Sequence, residues 1–152
     1  MAVWRLTTHH IDQDRLLKWS FDHSKIALGW SEVGDLRKFE NANEISLRAH
    51  VAYPDNRNWS VSGRQLWGFC HELKTGDLVI LSSRGRRAAV FEVTGEYVFD
   101  SNAQDDNYYG HQRSARPVGV DANELWKQAG GTATGQAIYW SLIKCSVDPR
   151  AR

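Results

Sequence analysis

The chain has 152 residues, a formal net charge of +1 and 41% hydrophobic residues, seven of them Trp. That length suits one domain with one core, spanning 1–152, and the apolar and aromatic content excludes a disordered chain. No apolar run approaches the ~20 residues that span a bilayer, two cysteines are too few for a disulfide framework, and near-neutrality excludes the long basic footprint of many nucleic-acid binders.

The opening MAVWRLTTHH has no charged region followed by an apolar stretch, so no signal peptide is expected and a cytoplasmic location is the default. Residues 2–7 are predicted as a strand, and 12–19 as a short helix with Leu16 and Leu17 on its buried side. Residues 25–30 (KIALGW) are predicted as a strand closed by Gly29. A helix is predicted over 44–53, halted before Pro54. The clearest helix covers 63–73, where Leu66, Phe69, Cys70 and Leu73 make one apolar face, with Ser60 or Ser62 as its cap. Gly76 and Asp77 turn the chain into strand 78–82. A tight basic turn over 83–86 leads to strand 87–99, kinked or bulged at Gly95. A polar loop over 100–107 precedes Tyr108 and Tyr109, then a strand over 111–120 and a helix over 121–129 capped by Asp121. A loop over 130–135 and a last strand over 136–146 complete an α+β chain of about six strands and three or four helices.

No catalytic signature is present: there is no G-x-S-x-G, H-E-x-x-H or phosphate-cradling glycine loop. AGGTATG at 129–135 follows a helix instead of opening one and is a plain loop. His9-His10 and Cys70-His71 are too sparse and too divergent to converge on a metal, since neighbours on a strand face opposite ways. Asp105-Asp106 lies in a polar loop with nothing to raise a carboxyl pKa. The expectation is therefore a non-enzyme with no catalytic residue, no metal and no cofactor.

The aromatics and arginines carry more. Trp67, Trp126 and Trp140 suit core packing. Trp59, in the polar segment YPDNRNWSVSG, is either a lid over the core or a presented stacking surface, and Trp30 before Ser31-Glu32 is open to the same two readings. Asp35 either caps the turn after it or accepts a hydrogen from an exocyclic amine. Arg84, Arg86 and Arg87 at a hairpin tip, with Arg113 and Arg116 on the strand after the tyrosines, are either solvated charges or phosphate contacts. Rings beside cations are what binding of single strands or flipped bases uses.

Taken in order, IALGWSEVGDLRKF, AYPD, NWSVSGRQLWGF, ELKTGDLVILSSRGRRAAVFEVTGEYVF and YYGHQRSARPVGV resemble the EVE-like amino-terminal domains of modification-dependent restriction systems. These belong to the PUA-like superfamily with EVE and YTH domains. The resemblance covers roughly 2–120, with ELKTGDLVIL and its hairpin the best single match. It implies a small twisted β-barrel with flanking helices, and a modified base flipped into an aromatic cage. On that pattern Trp59 matches a cage wall and Ser60 follows it. Thr7, Thr8 and His9 match the polar run where the first strand reaches the pocket. Tyr108 and Tyr109 stand where a second wall often comes from, though without the Trp. Trp30 and Asp35 lie at the rim or support it. Family members are often fused to a nuclease or a GTPase motor. None follows here, so the chain is either part of a larger protein or a free-standing reader with an effector acting in trans.

The leading expectation is thus a reader of modified, methylated DNA in a restriction or defence system. The alternatives are an RNA-binding module of the PUA or YTH type and a protein-interaction module that binds no nucleic acid. An enzyme acting on a nucleotide has the weakest case, for want of a nucleophile–base pair.

Overall fold

The computed structural model describes residues 1–8, 13–57, 59–102, 109–130 and 141–145. Six strands form one sheet: β1 (Val3–Thr7), β2 (Lys25–Leu28), β3 (Leu78–Ser83), β4 (Arg86–Phe99), β5 (His111–Val118) and β6 (Leu142–Cys145). Their spatial order is β2-β5-β4-β3-β1-β6. Only β1 and β3 run parallel; the other neighbours are antiparallel. Helices α1 (Gln13–His23), α2 (Ala42–Ala52) and α3 (Trp59–Trp67) lie between β1 and β3 in sequence, and α4 (Ala122–Gln128) follows β5. No helix is long and apolar enough to cross a membrane among the described residues.

Both faces of the sheet are covered. Trp4 and Leu6 of β1, Val79 and Leu81 of β3, and Phe91 and Val93 of β4 join the larger core with Ile45 of α2 and Leu66 of α3. Val3, Ile80 and Val90 point the other way and pack with Ala122 and Leu125 of α4. The two-residue periodicity of the strands thus separates two cores by parity.

The α+β class expected from the sequence is what the chain adopts, but the closed barrel is not seen. Among the described residues the sheet is open, its edges being the four-residue strands β2 and β6. Of the strand predicted over 136–146, Leu142–Cys145 is present, and 136–140 and 146 lie outside the described residues.

Local chemistry accounts for the elements. Asn41 caps α2 by accepting the Glu44 N–H at 2.9 Å, and the Glu44 carboxylate accepts the Glu40 N–H at 2.9 Å, a reciprocal cap that starts the helix two residues before its predicted onset. α3 begins at Trp59, ahead of the predicted 63. Ser62 does not cap it but donates to the Trp59 carbonyl at 2.6 Å. Leu66, Phe69 and Leu73 are buried as the spacing required, yet the last turn, Gly68–Glu72, is π-helical. The turn before β3 is held by Asp77, whose buried carboxylate accepts from Ala2 N at 2.8 Å, Trp4 Nε1 at 3.1 Å and Lys74 N at 2.9 Å. That one side chain ties the start of β1 to the start of β3, beside Gly76 at φ +94°.

Two irregularities shape β4. Its pairing with β5 shifts between Val93 and Tyr97, around Gly95, as the sequence predicted. Its pairing with β3 shifts so that Leu81 faces Ala89 while Ser82 faces Arg87, leaving Ala88 as a bulge. The β3–β4 hairpin turns through Arg84 and Gly85, both at positive φ (53° and 76°), the geometry that a two-residue hairpin loop favours.

Helices α2 and α3 cross where Gly63 meets α2. A Cβ there would lie 2.1 Å from the Ala42 carbonyl oxygen and 2.2 Å from Ser46 Oγ, which accepts the Gly63 N–H at 3.0 Å. Gly63→Ala therefore has to push two backbones apart. It is expected to cost about 3 kcal/mol in a urea unfolding curve; a loss under about 1 kcal/mol would mean the crossing is not tight.

Candidate functional site

The residues singled out in the sequence fall at three places. The first is the segment after β2. Trp30 is half-buried with left-handed backbone (φ 65°, ψ 41°), a strained conformation for a bulky residue. Short 3₁₀ turns follow at Ser31–Val33 and Leu36–Lys38. Asp35 caps the second, accepting the Arg37 N–H at 3.0 Å, and its carboxylate is gripped by the Arg37 guanidinium, with Nη2–Oδ2 at 2.6 Å. That hydrogen bond holds the Asp35 carboxyl below the usual range. Of its two sequence readings, the cap is the one this geometry matches.

A buried chain of hydrogen bonds anchors this segment. The Trp30 carbonyl can only accept, so His111 Nε2 carries the hydrogen and donates to it at 2.9 Å. His111 Nδ1 then accepts from Tyr97 Oη at 2.8 Å, and Tyr97 Oη accepts the Leu36 N–H at 3.1 Å. Gly110 N donates to Ser31 Oγ at 2.9 Å, and Glu32 N to Tyr53 Oη at 3.0 Å. The Tyr109 ring packs on Gly29, where a Cβ would sit 3.3 Å from it. Trp30, Asp35 and Tyr109 are therefore brought together, around a histidine and a tyrosine that sequence reasoning did not single out. Burial pushes His111 down to about 4 and pushes the Tyr97 phenol up, so both stay neutral near pH 7.

The second place is the start of α3. Trp59 is half-buried, with its ring stacked on His50 of α2 (centroids 4.5 Å apart, planes at 24°). Ser60 is exposed, and its carbonyl accepts from Ser46 Oγ at 3.2 Å. Helix α2 links this place to the first, since His50 meets Trp59 and Tyr53 one turn on meets Glu32. Farther along α3, Gln65 Oε1 accepts from Ser141 N at 2.8 Å and Leu142 N at 3.1 Å.

The third place is the end of the sheet where β1 and β3 finish. Thr8 is buried, donating Oγ1 to the Gln13 carbonyl at 2.8 Å and N–H to the Ser82 carbonyl at 3.1 Å. Its hydroxyl proton is thus committed within the fold. His9 and Tyr108 lie outside the described residues.

The five arginines separate sharply. Arg113 is not a phosphate contact: it is 3% exposed, and its guanidinium donates to the carbonyls of Gly95 (2.9 Å), Phe69 (2.9 Å) and Leu73 (2.6 Å). Its parity with buried His111 and Ala115 turns it inward. Arg116 is exposed but paired with Glu92 at 2.6 Å. Arg84 pairs with Asp14 at 3.1 Å, and its N–H bonds Gln13 Oε1. Arg86 and Arg87 line an open cleft of about 530 Å3 with Leu17, Gly85, Ala88 and Asn123.

Both cysteine thiols are quiet. Burial raises the Cys70 and Cys145 thiols to about 11, so neither is a thiolate at neutral pH.

Residues 4–138, which include all three places, match the family described as a domain of unknown function, DUF8426. The chain belongs to that family. No curated protein matches the sequence. Among solved structures, a crystal structure of the Pho92 YTH domain in complex with m6A is similar at 16% identity over 82% of this chain, with a TM-score of 0.40. The DUF8426 chain spans 62% of that neighbour. A TM-score at that level assigns no shared fold.

Two outcomes follow for this DUF8426 chain. Because His111 ionises less readily folded than unfolded, the stability it contributes is complete above pH 6.5. That stability drains away as pH falls toward about 4. The loss is on the order of 3 kcal/mol, and His111→Gln should flatten the urea midpoint across that window. An NMR titration placing the His111 imidazole near 6.5 would overturn this. Arg113→Leu should cost about 3 kcal/mol or more through three orphaned carbonyls. The folded fraction should bind any polyanion as the parent does, measured below the unfolding midpoint.

Proposed function

We propose that this chain is a non-catalytic, EVE-like nucleic-acid reader that holds one modified base, on DNA, against Trp59. The observation that carries the proposal is the Trp59 indole: partly exposed at the start of a helix and held nearly parallel to the His50 imidazole. A ring fixed in this way loses little freedom when a base stacks on it, and base–aromatic stacking contributes about 1–3 kcal/mol per base. Ser60, exposed beside it, offers a hydroxyl to a base edge. The strained Trp30 segment, joined to the same helix pair through Tyr53, forms the rim. Strain of this kind clusters at ligand sites and gives the rim its expected role. Thr8 supports the pocket floor from the end of β1, where His9 follows it. Tyr109 backs the rim, and Tyr108 beside it remains the expected second wall.

A methyl group on the base adds apolar area for the rings to cover, favouring the modified base by ~1 kcal/mol or more. Restriction or defence is the setting this selectivity would serve, with a nuclease or motor as effector.

The test is fluorescence anisotropy at fixed salt. The probes are short DNA and RNA strands and duplexes carrying no modification, methylated adenine, methylated cytosine or hydroxymethylated cytosine. The parent should prefer one modified probe by tenfold or more. Trp59→Ala should erase that preference while costing less than about 1.5 kcal/mol of stability, and Trp59→Phe should keep part of it. A loss of about 3–5 kcal/mol on Trp59→Ala would make the ring a core lid instead. A preference confined to RNA probes would replace DNA with RNA as the partner, and no binding to any probe would sink the reader.

A further inference from the structure

We infer that the cleft at the β3–β4 hairpin tip is a second binding site, for the phosphodiester backbone of the strand whose base is read at Trp59. The inference rests on the reader proposed above and adds a site with its own residues. Its basis is the difference between a neutralised cation and a held one.

Arg84, Arg116 and Arg37 each face a carboxylate. Arg87 is held by neutral groups instead. Its guanidinium lies 4.5 Å from the centre of the Trp126 ring, and Nη1 donates to Asn123 Oδ1 at 3.1 Å. A guanidinium stacked on indole and hydrogen-bonded to an amide is oriented without losing its charge, and its remaining N–H groups keep a fork suited to phosphate oxygens.

The bulge at Ala88 makes this possible. In a regular strand Arg87 and Val90, three residues apart, would face opposite sides of the sheet. Here Val90 packs in the α4 core, and Arg87 lies over Trp126, which packs against that same core. The extra residue turns Arg87 onto the α4 side, while Arg86 lines the cleft alongside Leu17 of α1. Arg86 makes no ion pair among the described residues. Arg5, on the α4 face of β1, feels the same field: after burial itself, the Arg87 charge adds to what lowers the Arg5 pKa. Two guanidinia without an ion pair among the described residues and a cleft of about 530 Å3 thus meet at one hairpin tip, where Asp14, paired with Arg84, also feels the Arg86 charge.

The experiment uses the full chain and two probes, a short abasic single strand and the preferred modified strand, titrated across salt concentrations. The parent should bind both. Arg86→Ala/Arg87→Ala should weaken both by about tenfold and flatten the slope of log affinity against log salt by about 1.4, because a single strand that loses two phosphate contacts releases fewer counterions. The modified-to-unmodified ratio should not move. Should the double variant lose its parent's urea midpoint, Arg86→Gln carries the same test at one contact, since that side chain makes no ion pair among the described residues and the change adds no charge beside Asp14. Unchanged affinity and slope in a folded variant would overturn the site, even where base preference survives. So would a parent that ignores the abasic strand. A parent that binds the abasic strand through these arginines but prefers no modified base leaves the cleft standing and removes the base reading.

Discussion

The Arg113 guanidinium sits inside the protein with no carboxylate paired to it among the described residues, and the geometry of the site region depends on how it is satisfied. Burial pushes its pKa down, with Cys70, Glu96 and Asp77 acting in the other direction, yet an arginine stays charged in any fold. Its donors go to carbonyls that secondary structure leaves open. The π-helical end of α3 releases those of Phe69 and Leu73, and the irregular stretch of β4 releases that of Gly95. Each irregularity exposes acceptors that would be costly to bury alone, and the one side chain answers both. With the β4 irregularity held there, the register resumes with Tyr97 opposite Arg113 and Phe99 opposite His111. Only in that register do Tyr97 and His111 meet and reach out to Leu36 and Trp30. The strained Trp30 segment is thus placed from beneath by an ion several residues away.

Much of this was legible in the sequence and some was not. The strands over 2–7, 78–82 and 87–99 follow from apolar and β-branched runs bounded by turn residues, and Gly95 marked the irregularity in β4. The hairpin turn at Arg84-Gly85 was visible as a tight basic turn. Arg113 was misassigned because it was grouped with Arg116 by charge. Parity separates them from 113 onward, where 113 and 115 are buried while 114 and 116 are exposed, although Gln112 is buried as well. The onset of α3 was missed because Ser60 and Ser62 look like caps in sequence, whereas Ser62 bonds backward inside the helix. The π turn was invisible because its apolar spacing continues that of an α-helix. Asp77 looked like a turn residue, and its hold on Trp4 and Ala2 spans more than 70 positions, beyond any local pattern.

The single pocket implied by the family resemblance is resolved into places with different couplings. Trp30, Asp35 and Tyr109 gather where β2 ends and β5 begins. Thr8 and the hairpin cations gather at the other end of β4. Trp59 is linked to the Trp30 segment through His50 of α2 and Tyr53 at its C-cap, and to the β1–β6 end through Gln65 of its own helix. The helix pair thus reaches both ends, and Gly63, where the two helices touch, is the position at which a Cβ would push them apart.

The strand directions bring the two proposed contacts toward one end of the sheet, with Arg87 on the α4 face and the helix that carries Trp59 on the opposite face. β1 and β3 run parallel, so both finish at the hairpin end. Thr8 N–H bonds Ser82, and Ser82 is the register partner of Arg87. The end of β1 is therefore two strands from Arg87, about 10 Å at the usual strand spacing. Gln65 reaches the same end by holding the start of β6, and Trp59 lies six residues before it, about 9 Å along the helix. A near-neutral protein has no long-range field with which to gather a polyanion. On the proposed reading it would have to place a few charges where a nucleic-acid strand passes, and the bulge that turns Arg87 onto an indole, two strands from the end of β1, would set one such charge beside Arg86.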